Sequence, residues 1–557
     1  MASCNDSFLD RFPLDEVTDK VYFSNPKDLE TYLNQFYSNA NFPKYGNHGS
    51  DFDSDNQVLN SPDLRLAGTR TLNSFQSIGF SDVRSINYFL SNYEKVAEKN
   101  AFDTYKQYVG EAYFFKALIY FKLLKAYGDI QWLDKDLNTT SPELTMPRTP
   151  RNIVADRIIG CLDTAAMYLQ TDKTSGAARL NKWIALQLQS RVALYEGTWQ
   201  KYHNGTPFGV AQADPNKYFN KAVEAAESIM NSGLYSVYST NNPNKDYKYL
   251  FSQTDYTNNS EVLFWRKYDN DLSKGQNAFV NDRNIRMQYP SNRTLTKDLA
   301  DSYLCKDGLP ISVSSLFGGY TSITAEVRDR DPRMQQTIAT PSEIWKINTD
   351  NSTLTWNEVY TRLNSSADYN VPTGYINHKG YDPDVRNHML QYEETPSILY
   401  RYGEVLLNYI EAKAELGSVA QADLDKSINK LRQRVGMPNL TVNNITVDPN
   451  WDFPTLSPLI NEIRRERRVE LAAEGFRWDD IARWAAADEL IVNKRPKGML
   501  ASQLVNNIYP VDANGFLDPF STAIPNGYEF KIGRDYLNAI PQSELVLNSS
   551  LTQNPGW

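Results

Sequence analysis

Asp51, Asp53 and Asp55 spell D-x-D-x-D, three carboxylates at the spacing that opens a calcium-binding loop. The rest of such a loop is missing. Asn56 stands where a glycine is needed, and Pro62 where a glutamate would close the shell. Three readings follow: a polar turn, acceptors for the vicinal hydroxyls of a sugar, or a calcium site. Tyr45 and His48 flank the segment and suit the second reading, since carboxylates accept hydrogen bonds from hydroxyls.

A second group fits the same chemistry. Tyr268, Tyr289, Phe317, Tyr320, Trp345, Trp356, Tyr360, Tyr369 and Tyr375 fall in one stretch that is rich in Asn, Asp, Ser, Thr and Gly. A sugar ring offers an apolar C–H face and a rim of hydroxyls, so an aromatic ring with polar neighbours is the physical solution for holding it. Trp345 and Trp356 lie in polar surroundings and are expected to stack, with Tyr268, Tyr289, Tyr320 and Tyr360 in support and Asp51 and Asp53 as acceptors. The alternative is that each ring anchors its own loop.

Residues for covalent chemistry are scarce. There are four histidines, and H-E-x-x-H, G-x-S-x-G, P-loop and G-x-G-x-x-G patterns are all absent. Glu393 and Glu394 are adjacent, whereas glycoside cleavage needs two opposed carboxyls. The expectation is a binding protein with no catalytic residues and no cofactor.

The densest charge lies in INEIRRERRVELAAEGFRWDDIARW, residues 460–484. Glu462, Glu466, Glu470 and Glu474 recur every fourth residue and form one ladder on a helix. Arg464, Arg465, Arg467 and Arg468 are interleaved, and Gly475 falls where one helix could end and another begin. This spacing predicts a helical hairpin locked by ion pairs, a structural role.

The elements that must carry these residues are mainly helical. Residues 15–235 read as helices at about 26–40, 80–99, 103–127, 150–170, 181–200 and 215–232. Small residues Ala185, Ala193 and Gly197 mark close packing in one of them. Helical periodicity fails over about 236–396 and resumes at 398–487. The chain therefore reads as a polar tether over 1–14 and a single domain over 15–557, its helical scaffold (80–235 and 398–487) interrupted by a loop-rich, ligand-facing insert.

Composition narrows the function classes. A net charge of -9 over 557 residues argues against nucleic acid, which needs a basic face. The most apolar segment, 112–124, is broken by Lys116 and Lys122, so nothing spans a membrane as a helix. Tyrosine is in surplus at 35 residues, leaving rings to spare for a binding surface. Of three cysteines, Cys161 and Cys305 sit in apolar patterns that predict burial. Cys4 follows Ala2 and Ser3 and precedes the polar tether, a context suited to lipoprotein cleavage, though the other parts of a signal peptide do not precede it.

Several blocks, in order, resemble the SusD/RagB family of surface nutrient-binding lipoproteins of Bacteroidota. They are CNDSFLDRFPLDEVTDKVYFSNPKDLETYLNQFY (4–37), GEAYFFKALIYFKLLKAYGDI (110–130), VRDRDPRM (327–334), RYGEVLLNYIEAKAELG (401–417), LDKSINKLRQRVGMP (424–438), the charged stretch above, and YLNAIPQSELVLNSSLTQNPGW (536–557). The resemblance implies four tetratricopeptide-like helix pairs, the last two from 398–436 and 457–487. It also implies acylation at Cys4, attachment to outer-membrane lipid, and capture of an oligosaccharide or polysaccharide for a SusC-like TonB-dependent transporter. A peptide ligand is the alternative within the family, and a glycoside hydrolase the alternative outside it.

Overall fold

The computed structural model describes residues 22–43, 51–173, 179–269, 287–291, 294–387 and 393–557. Tyr45, His48 and Cys4 lie outside them. Helices α1 (Pro26–Leu33), α2 (Ser81–Asn92), α3 (Lys106–Tyr127), α4 (Arg151–Tyr168), α5 (Lys182–Tyr202) and α6 (Pro215–Asn231) build the first half. α1 opens with Asn25, whose side chain accepts from the Lys27 and Asp28 amides while Asp28 accepts from the cap in return.

α3 is buried on nearly every side, from Val109 to Tyr127. A helix apolar all round belongs in a core, which is how its composition is accommodated without a membrane. Its break in the apolar run, Lys116, is also buried, and reaches out to Asp134 at 3.2 Å.

α3 packs on α4 and α5 on α6. The second pair is close because Gly197 has no side chain: a Cβ there would lie 2.7 Å from the Phe219 ring. Ala185 and Ala193 are fully buried on the same helix, as their spacing predicts.

The array resumes with α9 (Tyr402–Glu415), which packs on α6, then α10 (Ile428–Arg434), α11 (Pro458–Glu470) and α12 (Arg477–Arg483). Between the halves, α7 (Asp246–Phe251) and α8 (Lys297–Ser302) flank short strands. Antiparallel β2 (Val262–Arg266) and β7 (Ser397–Arg401) close the insert's two ends onto the scaffold. A three-stranded sheet of β1 (Gln57–Val58), β3 (Thr294–Leu295) and β6 (Tyr375–Ile376) ties the insert to the segment after α1. β4 (Ile344–Ile347) and β5 (Thr353–Thr355) form a hairpin. No helix among the described residues is long and apolar enough to cross a membrane.

The insert builds most of a second hydrophobic core, to which Val469 of α11, Ala472 after it and Met499, Leu504 and Leu517 of the C-terminal loops also contribute. This overturns the expected stacking platform. Trp356 is fully buried and Trp345 nearly so, with their rings 6.4 Å apart. Trp356 also meets the edges of His378 and Tyr381. Tyr360 is buried with its hydroxyl donating to the Ala339 carbonyl, and Tyr268 is buried near Arg266. The cause is general. A segment with few and short helices must bury an apolar interior to be ordered, and its aromatics, with Leu, Ile and Met beside them, supply much of that volume.

Candidate functional site

The charged ladder forms the floor of the site region, and it is buried. Glu462, Glu466 and Glu470 lie on α11, but their partners are mostly not the arginines beside them. Glu462 meets Arg432 at 3.4 Å, and Glu466 meets Arg432 at 2.9 Å and Arg333. Glu470 is held by Arg434 at 2.7 Å, Arg401 at 2.8 Å and Arg333 at 2.9 Å. Burial opposes charge on Glu470, yet Arg434, Arg401 and Arg333 hold its carboxyl well below the usual range. The arginines of α11 point elsewhere: Arg467 to Asp480 at 2.9 Å, Arg468 to Asp55 at 2.8 Å and Arg465 to Asp448. One bond within the helix remains, Arg465 to Glu462 at 3.0 Å. Ion pairs between elements cross-link the fold, which pairs along one helix do not.

The acidic triplet serves the same end. Asp51 accepts from the Ala473 and Gly475 amides at 2.8 Å each and from the Asn56 side chain. It thereby caps the turn between α11 and α12, where Ala473 and Gly475 have positive φ. Asp55 receives both Nε and Nη2 of Arg477 at 2.7 Å, with Arg468 alongside. Burial notwithstanding, these two arginines pull its carboxyl down to about 2. Asp51 is therefore not a hydroxyl acceptor for ligand. A calcium ion would have to displace bound guanidinium and amide groups. Asp53 is the half-buried member, 3.5 Å from Arg65, and burial pushes its carboxyl up to about 6.

Above this floor, where insert meets scaffold, lies a cleft of about 500 Å³. One wall is α8 with Tyr320 from the loop that follows it. The other is α11 with Trp451, Asp452 and Phe453 from the loop before it. Tyr320 is fixed from both sides. Its hydroxyl donates to Asp301 at 3.0 Å and accepts from Lys297 at 3.1 Å, and Phe317 and Phe516 meet its ring edge-on. Burial, with Asp301 beside it, pushes the phenol up to about 12.

Several polar groups in the cleft lack a hydrogen-bond partner among the described residues, two of them on its facing walls. The Asp298 carboxylate accepts no hydrogen bond among the described residues, and burial pushes it up to about 6 against the pull of Arg468. The Trp451 indole N–H has no acceptor among the described residues. Rings, free acceptors and donors in a cleft of this size are the ingredients of a small-molecule site. Sequence reasoning missed Trp451 because it lies outside the loop-rich insert, in the long connection between α10 and α11.

Of the other expected residues, Tyr289 is 45% exposed and meets Tyr369 edge-on at 6.3 Å, forming an aromatic corner apart from the cleft. A second groove, of about 540 Å³, runs along Phe80, Arg84, Leu133 and Leu137. It offers one aromatic ring and no carboxylate, which suits a polyhydroxylated ligand less well.

The C-terminal part of the chain, residues 226–557, matches a family model described as "SusD family". The chain belongs to the SusD family. A second model, "Starch-binding associating with outer membrane", matches residues 9–194 of this SusD-family chain. Among curated proteins, SusD-like protein P2 of Formosa agariphila is 26% identical over 452 residues, 80% of this chain and 73% of that protein. Among solved structures, a SusD-like protein of Bacteroides fragilis superposes with TM-score 0.72 at 22% identity, covering 98% of this chain and 100% of that one. A SusD-like carbohydrate-binding protein, also of Bacteroides fragilis, gives 0.69 at 21%, covering 95% and 100%. The mainly helical SusD fold is thereby shared.

Proposed function

We propose that this SusD-family chain is a binding protein that captures an oligosaccharide or polysaccharide and releases it uncleaved. The observation that carries the reading is the cleft between α8 and α11. Tyr320 and Trp451 line it as rings and Asp298 as an unengaged acceptor. Family membership and the carbohydrate-binding description of a similar structure support it. No cofactor takes part, and the energetics are those of binding alone.

Three further parts of the reading rest on the family. Cys4 carries the lipid anchor, the protein sits at the outer-membrane surface, and a SusC-like TonB-dependent transporter receives the ligand. Two or three acyl chains give stable attachment where one is marginal. Cys4→Ala in the full precursor should release the protein from membranes in a strain lacking the transporter. Retention there would remove the anchor.

The binding reading is tested by incubating the purified protein with a panel of soluble glycans. Retardation in glycan-containing native gels is expected, with no change in glycan chain length on chromatography. Progressive shortening would remove the binding-only reading.

A further inference from the structure

Arg464 stands apart from the other arginines of α11. It lines the cleft and is 3% exposed, yet its guanidinium donates no hydrogen bond among the described residues. Three rings surround it instead, with its central carbon 4.3 Å from the Trp484 centroid, 4.4 Å from Phe453 and 4.8 Å from Tyr202. The nearest carboxylate oxygen, Oε1 of Glu415, is 3.7 Å away and already receives the Tyr202 hydroxyl at 2.9 Å, while Lys201 holds Oε2 of the same carboxylate at 2.7 Å. Glu489 lies within electrostatic reach, but burial and the neighbouring Asp488 push its carboxyl up to about 7.

Apart from Lys494, which is exposed to solvent, the other cations of the cleft are matched. Arg465 is spent on Asp448, Arg468 and Arg477 on Asp55, and Lys297 on Asp301. The cleft is lined by six basic and five acidic side chains in a chain whose net charge is -9. Glu415 and the buried Glu411 balance part of the Arg464 charge without taking a hydrogen bond from it. A buried guanidinium whose N–H groups are left without acceptors is costly, and those donors match an oxyanion. The Trp451 N–H, also without an acceptor among the described residues, lines the same cleft.

We infer that this cleft contains a subsite for an anionic substituent, so that the captured glycan is an acidic one. Arg464 receives a carboxylate or sulfate oxygen, and the Trp451 N–H supplies a second donor. Asp298, the unengaged carboxylate on α8, accepts from sugar hydroxyls. The three rings around Arg464 keep its charge poorly hydrated, which favours a ligand oxyanion over water. This inference rests on the glycan-binding reading and narrows its ligand class.

The experiment is calorimetry on the full chain at low and at physiological salt. Three probes of equal length are compared: a galacturonate tetrasaccharide, its carboxyl-reduced form, and a sulfated galactan tetrasaccharide. A charge-assisted hydrogen bond predicts that at least one acidic probe binds at least about tenfold tighter than the reduced one. The advantage should vanish in Arg464→Met and shrink in Trp451→Phe, which keeps the ring. The acidic probe that wins identifies carboxylate or sulfate as the group received. Circular dichroism checks folding. If Arg464→Met does not fold, the comparison of probes on the native chain and on Trp451→Phe decides. Equal binding of all three probes overturns the anionic subsite and leaves glycan capture standing. If none of the probes binds but a neutral glycan of the native-gel panel does, the anionic subsite alone is overturned; if neither the probes nor any glycan of that panel binds, both readings fall.

Discussion

At the scale of single residues, the contrast is between carboxylates held down and carboxylates held up. Asp55 faces Arg468 and Arg477 and is pulled to about 2. Glu326 is fully buried with the Tyr375 hydroxyl donating to it, and burial pushes its carboxyl from 4.5 to about 7. The two have opposite consequences. A lowered pKa adds stability above the unfolded value that is lost as pH falls through the folded one. A raised carboxyl binds its proton better in the folded state. Its contribution is full below pH 4.5, falls as pH rises to about 7, and is level beyond. Glu326→Gln should therefore leave stability unchanged at pH 4 and increase it at pH 8, by up to about 3 kcal/mol. Urea unfolding at the two pH values measures this. An equal effect at both would mean that Glu326 does not titrate differentially.

At the scale of elements, the ladder on α11 is a hub. Arg333 comes from the insert, Arg401 from the end of β7, and Arg432 and Arg434 from α10, yet all four converge on its glutamates. In the other direction, Arg467 joins α11 to α12 through Asp480 and to α9 through Asn408 at 2.9 Å. Buried pairs of this kind contribute less to stability than their number suggests, because desolvation offsets attraction. Breaking one is different, since a charge is left buried alone. Arg467→Ala should cost about 3–5 kcal/mol, read as a lower thermal midpoint, with glycan affinity below the transition unchanged. An unaltered midpoint would show the charges to be solvated.

At the scale of the whole molecule, burial separates rings that hold the fold from rings that could hold a ligand. Trp356 is in the insert's core, whereas Trp451 and Tyr320 line the cleft. Trp356→Ala is expected to destabilise by about 3–5 kcal/mol as a large cavity opens. Trp451→Ala and Tyr320→Ala should leave the melting point nearly in place. At least one of them should weaken glycan binding by about 2 kcal/mol or more. Calorimetry paired with thermal melts separates the two classes. If both cleft variants bind as the native chain does, the exposed Tyr289–Tyr369 corner becomes the site to examine.

The sequence by itself determined the helices of the scaffold, because apolar spacing, caps and small residues act over one or two turns. Ala185, Ala193 and Gly197 could be assigned to close packing on that basis, and Cys161 and Cys305 to the interior. It also determined the family, since the blocks run in a fixed order. Why those blocks matter was decided in three dimensions. Arg333, Arg401, Arg432 and Arg434 lie in blocks well apart along the chain and meet at one row of glutamates. The readings that failed were those in which local composition stood in for exposure. Trp345 and Trp356 have polar neighbours in sequence and apolar ones in space. Asp51 sits in a pattern like a metal loop but caps a turn more than four hundred residues away. Helix formation is a local property that the chain writes out residue by residue. Burial and charge pairing depend on which distant segments come together, and in this protein only the packing of insert against scaffold decides that.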